Sequence, residues 1–107
     1  MHNHGRIRVE VDPDLADLAP AFLEHRRADI TTLREALEQQ DYQSIHRIGH
    51  NMKGDSGALG FQGLSEVGRE LEHAALQRND GAIRAQLEHF SDYLERVEIV
   101  PSASVEQ

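Results

Sequence analysis

Residues 46–64 read HRIGHNMKGDSGALGFQGL. Together with Ile45 just before the stretch, Ile48, Met52 and Leu59 recur at the spacing of one helical face. Glycines nevertheless fall at 49, 54, 57, 60 and 63, and a glycine inside a helix costs about 1 kcal/mol relative to alanine. Six of the chain's eight glycines lie between residues 49 and 68. Either the helix ends early or something outside it comes close to this face.

A helical projection, at about 100° per residue, separates the two kinds of position. With His50 at zero, the four apolar residues all fall within about 40° of the opposite pole. His50 therefore points away from the core, and His46, Lys53, Gly54 and Gly57 share its outer face. Outward glycines gain nothing from packing within the domain, so the close approach of a partner accounts for Gly54 and Gly57. Gly68 falls on the inner stripe of the next helix and reads as close helix–helix packing.

Outward from this stretch the chain is helical almost throughout. Asp41 caps a helix that begins at Tyr42 and reaches Leu59, where Gly60 supplies the stop. Before it, Pro20 opens a long helix with Phe22, Ile30, Leu33 and Leu37 on one stripe, ended by Gln39-Gln40-Asp41. After it comes a helix with Phe61, Leu64, Val67, Leu71 and Ala75 inward. A break at 78–81, with Asn79 or Asp80 as cap, precedes a last helix carrying Ile83, Leu87, Phe90, Leu94 and Val97. Asp12 and Pro13 open a short helix with Leu15 and Leu18. IRVEVDP (7–13) alternates like a short extended lead-in, VEIV (97–100) like an extended tail, and PSASVEQ (101–107) like a disordered end.

These elements predict an all-α fold, an antiparallel up-down-up-down four-helix bundle with a short N-terminal capping helix. The expected organisation is a single domain over 1–107, with lead-in 1–11, bundle 12–98 and tail 99–107. The chain has no cysteine, so disulfides and thiolate chemistry are excluded. Eleven basic against nineteen acidic residues give a net charge of −8, the wrong sign for a general nucleic-acid binder. No apolar run is long enough to span a membrane, and residues 1–20 lack a signal-peptide core. The expected location is the cytoplasm.

His50-Asn-Met-Lys53-Gly54, then Gly57-Ala-Leu-Gly60, then Leu64, Gly68 and the Leu71-Glu72 pair, resemble the signature of histidine-containing phosphotransfer (HPt) domains. The resemblance runs from about Asp12 to Val97, and the FLEHRRADITTLREAL helix (22–37) is similar to that of stand-alone bacterial members. It implies a carrier that takes a phosphoryl group from a receiver-domain aspartate and passes it to another, a monomer without ATP use of its own. The implied partners are receiver domains of response regulators and hybrid histidine kinases. The chain would need no cofactor, the acidic residues and Mg²⁺ being expected on the partner.

The residue chemistry agrees with that role. A neutral imidazole, with an unperturbed pKa of about 6.5, is a nucleophile at neutral pH without a base to activate it. Lys53, one turn on, sets a cation beside phosphoryl oxygens that gain charge during transfer. Glu72 stands at the edge of its helix's inner stripe, where it can hydrogen-bond the second imidazole nitrogen, as a polar residue does in related domains. His46 forms the rim of the same face.

Other function classes fit less well. His46 and His50 are spaced i, i+4, but Arg47 stands where a metalloprotease helix needs glutamate. A bundle di-iron centre needs two inward Glu-x-x-His pairs, and Glu70…His73 alone has that spacing. No metal site is expected. A passive helical adaptor shares the fold and lacks only the chemistry at His50. His25, His73 and His89 read as surface residues, and His2 and His4 as part of a flexible start. Arg26 falls within the apolar stripe of its helix, where an isolated charge is costly; its stem should pack while its head finds a carboxylate or a helix end.

Overall fold

Local chemistry sets the ends of the helix that carries His50. The Asp41 carboxylate accepts hydrogen bonds from the Ser44 backbone N–H at 3.1 Å and the Ser44 hydroxyl at 2.6 Å, capping the first turn. At the other end Gly60 takes a left-handed conformation (φ 94°). Its N–H bonds to Gly57 O, and that of Phe61 to Ser56 O, which is a Schellman ending. The computed structural model describes residues 5–101, so His2, His4 and residues 102–107 of the expected tail lie outside the described residues.

The elements in chain order are β1 (Ile7–Val11), α1 (Ala19–Glu38), α2 (Tyr42–Leu59), α3 (Gln62–Leu76), α4 (Asp80–Arg96) and β2 (Val97–Pro101). Each helix packs on its successor, and α1 also packs on α4, so the four close an up-down-up-down bundle. Leu33, Ile45, Met52, Phe61, Leu64, Leu71, Ile83 and Phe90 are wholly buried at its centre. Asn79 is the cap of α4, accepting from the Ala82 N–H at 3.0 Å. Phe22 is half-buried and stacks on Phe61, ring centroids 5.4 Å apart.

Two expectations are corrected. Residues 13–18 are not a capping helix but a run of turns closed by i to i+3 bonds, such as Leu15 N–H to Asp12 O at 2.8 Å. Six residues before a proline are too few to offset helix nucleation, and Pro20 lacks the N–H that would continue the ladder. Asp12 still caps its turn, accepting from the Asp14 N–H at 2.8 Å, but Leu18 stands in solvent. Residues 99–101 of the expected tail, in turn, belong to a strand: β2 pairs in parallel with β1, Ile7 opposite Val97 through Val11 opposite Pro101. Val9 and Val11 are buried beneath this pair, and Arg96 Nε donates to Gly5 O at 2.8 Å.

Arg26 is accounted for by its surroundings. Its Nε lies 2.8 Å from Asp29 Oδ2, as an ion pair without hydrogen-bond alignment, and its guanidinium sits 5.0 Å from the Phe22 ring centroid. A second carboxylate, Asp55 of α2, is 4.0 Å away. Burial pushes the Asp29 carboxyl upward, and Arg26 opposes that shift.

α2 and α3 touch backbone to backbone where Gly49 faces Gly68. A Cβ added to Gly68 would lie 2.6 Å from Gly49 O and 2.7 Å from Lys53 N; one added to Gly49 would lie 2.7 Å from Gly68 O and 2.8 Å from Glu72 N. These are backbone atoms, so a side chain at either position has to force the helices apart. Nothing lies within 4 Å of a Cβ added to Gly54. Gly68→Ala is therefore expected to destabilise the domain by about 1–3 kcal/mol through forced separation of the helices. Gly54→Ala should stabilise it by up to about 1 kcal/mol. Urea midpoints measure both, and a destabilised Gly54→Ala would contradict its placement on an open face.

Candidate phosphoryl-acceptor site

The glycine crossing fixes what stands opposite His50. With no side chain on Gly49 or Gly68, the backbone of Glu72 is held against Gly49, one residue before the histidine. The Glu72 carboxylate then reaches three basic side chains of α2. Oε2 lies 3.0 Å from His50 Nδ1 and 3.6 Å from His46 Nε2, and Oε1 lies 3.0 Å from Lys53 Nζ. The Glu72 side chain is 17% exposed, whereas that of His50 is 62% exposed. A mostly covered carboxylate thus grips the inner edge of an imidazole whose outer edge is open to solvent.

This geometry has an electronic consequence. A carboxylate only accepts, so the proton of a neutral His50 belongs on Nδ1, and the lone pair is left on Nε2, facing outward. The Lys53 ammonium, above all, and then His50 hold the Glu72 carboxyl below its ordinary value of 4.5, against partial burial, which raises it. The expected hydrogen-bond partner of the second imidazole nitrogen lies 3.0 Å away as Glu72 Oε2. The sequence reading missed that His46 shares the same carboxylate oxygen; its i, i+4 spacing from His50 was the available signal.

The flanking positions divide by what they face. Gly54 is exposed and open, one turn from His50 on the same side. Gly57 is half-buried at the seam with α3, where an added Cβ would touch Ser65 Oγ at 3.5 Å. That hydroxyl donates to Lys53 O at 2.9 Å, tying the two helices beside the site. His25, His73 and His89 are exposed, as expected of surface residues. Among the described residues no group of three or more His, Cys, Asp or Glu is arranged to hold a metal ion. No helix among them is long and apolar enough to cross a membrane.

Comparison with known proteins bears on the same region. The family described as Hpt domain matches residues 17–99. Multistep phosphorelay regulator 1 of Schizosaccharomyces pombe is 27% identical over 71 residues, which cover 65% of the chain and 24% of that protein. The chain thus spans about a quarter of the length of this curated relative. No solved structure matches it.

The Glu72 contact makes two measurable statements. At a pH where His50 is neutral, nitrogen-15 spectra should show its Nδ1-protonated tautomer, and Glu72→Ala should yield a mixture of both. A mixture in the unsubstituted chain would mean that the carboxylate selects nothing. Because the folded-state pKa of Glu72 is depressed, its ionised form adds stability above the unfolded value, and that stability is lost as pH falls through the folded one. The gap in urea midpoint between the unsubstituted chain and Glu72→Gln should accordingly close on acidification through that window.

Proposed function

The chain belongs to the Hpt domain family and is a phosphotransfer carrier of two-component phosphorelays, and from that premise we propose that His50 is the residue that bears the phosphoryl group. The observation that carries this reading is the pairing of an exposed imidazole with a carboxylate on its inner nitrogen at 3.0 Å. Nε2 attacks the phosphorus of a receiver's aspartyl phosphate; the N–P bond forms as the P–O bond to the aspartate breaks, and the aspartate leaves as a carboxylate. The ring gains positive charge as Nε2 gives up its lone pair, and Glu72, already bound to Nδ1–H, offsets that charge without having to move. Transfer onward to another receiver is the same step reversed.

Lys53 has the complementary role. Its ammonium, 39% exposed and held 3.0 Å from Glu72, lies one turn from His50, within reach of phosphoryl oxygens at Nε2. Gly54 leaves room for the loops that carry the partner's aspartate, with His46 and Gly57 at the margins of the footprint. The aspartate that carries the phosphoryl group, with the other acidic residues and the Mg²⁺ beside it, is assigned to the receiver, and the chain to the cytoplasm as a monomer without kinase or ATP-hydrolysing activity of its own. Its partners are receiver domains, of both response regulators and hybrid histidine kinases.

Incubation with a phosphorylated receiver domain tests the assignment. His50→Gln should keep the fold and abolish uptake of label, and His46→Gln should retain most of it. Label that persisted in His50→Gln would place the acceptor elsewhere. Lys53→Ala should slow transfer without ending it, by less than the roughly 10² to 10³ of a buried donor, since this one is partly solvated. An unchanged rate would remove Lys53 from the mechanism.

Gly54 separates docking from chemistry. Gly54→Gln should fold normally, because its side chain enters open solvent, yet transfer from a receiver should fall steeply. Phosphoramidate, a small donor, should still label His50. A Gly54→Gln chain that accepted from the receiver at the usual rate would move the docking surface away from this residue.

A further inference from the structure

Two large apolar side chains stand in solvent among the described residues, Leu18 at 57% and Leu76 at 68% exposure. A single exposed leucine is ordinary on a protein surface and by itself marks nothing. What distinguishes Leu76 is its position. It ends α3 four residues after Glu72, so it lies on the same helical face, about 6 Å further along the axis. Leu18 belongs to the turns before α1.

The surface around Leu76 runs into the His50 site. One concavity is lined by Arg69, Glu70, Glu72, His73 and Leu76, and a neighbouring one by Gln43, His46, Arg47, His50 and Glu72. Glu72 borders both, with the imidazole lining one and the leucine lining the other. On the α2 side the charge is also unlike that of the whole molecule. The chain has nineteen acidic residues, yet from Tyr42 to Gly54 α2 has none, while carrying Arg47, Lys53, His46 and His50. Such a strip suits a partner that brings an acyl phosphate, which is anionic, to Nε2.

Size extends the same point. A specific protein partner covers on the order of 800 Å² of each surface, a patch roughly 30 Å across. Leu76, four residues from Glu72 on the same helical face, falls within a patch of that size centred on His50, and its burial would supply apolar contact. We propose that Leu76 is the apolar anchor of the receiver-docking surface: the receiver seats apolar side chains on it while its phosphorylated aspartate comes in over Gly54. The proposal rests on the reading of His50 as phosphoryl acceptor and adds to it the residue that fixes partner affinity.

The test measures the initial rate of transfer against the concentration of a phosphorylated receiver, alongside labelling by phosphoramidate, which needs no docking surface. Leu76→Ser should raise the half-saturating receiver concentration by about tenfold, with the maximal rate and phosphoramidate labelling unchanged. Leu18→Ser should match the unsubstituted chain with both donors. A Leu76→Ser chain that saturates normally overturns the proposal, as does an equal loss in Leu18→Ser. A parallel loss with phosphoramidate would instead make Leu76 a support of the imidazole site. A concentration-dependent mass abolished by Leu76→Ser, with transfer intact, would give the patch to a second copy of the chain. If neither donor labels His50 in the unsubstituted chain, the acceptor reading fails and the docking surface with it.

Discussion

The contact on which the rest of the site depends contains no side chains at all. Where Gly49 meets Gly68, α2 and α3 approach until a single methyl group would overlap backbone atoms of the opposite helix. Two interior glycines weaken the isolated helices by about 1 kcal/mol each, so close contact has to offset that cost. It does so by setting register as well as by packing. One residue after Gly49 comes His50, and four residues after Gly68 comes Glu72, so the crossing brings imidazole and carboxylate to 3.0 Å. Widening the gap by one methyl would keep both residues and lose their contact.

On the proposed reading of His50, Glu72 shows how little is needed to prepare a histidine for phosphoryl chemistry. The side chain is a nucleophile as it stands, so the domain supplies no base and instead decides which nitrogen is free. One carboxylate does this while also holding Lys53 at 3.0 Å, so the cation is kept on the same face as the imidazole. The arrangement asks for three residues on two adjacent helices.

Much of this was legible in the sequence, because it rests on local rules. Asp41, Asn79 and Gly60 end their helices as side-chain capping and left-handed glycine require, and the apolar stripes identified the buried faces. His50 was outward by projection alone. What escaped depends on partners distant in sequence. Alternating residues at 7–11 and 97–100 suggested extended chain, but periodicity does not say which segment pairs with which, or in which direction. Gly49 was unexplained until Gly68 lay opposite it. Gln40 and Arg78 adopt left-handed φ of 56° and 52° at helix ends where glycine or asparagine would be the usual signal. Residues 13–18 carried a start signal without the length to use it.

The parallel pairing of β1 with β2 has a kinetic consequence. Its two members stand at opposite ends of the described chain, so joining them closes a loop that contains all four helices. Loop closure of that length carries an entropy penalty that local helix contacts do not, and a parallel two-stranded ribbon repays little of it alone. The ribbon therefore zips late, onto a bundle already assembled, and forms the first cooperative unit to open again. Among the described elements, amide exchange should be fastest there and slowest where α2 crosses α3, which would set His50 and Glu72 beside the most protected backbone.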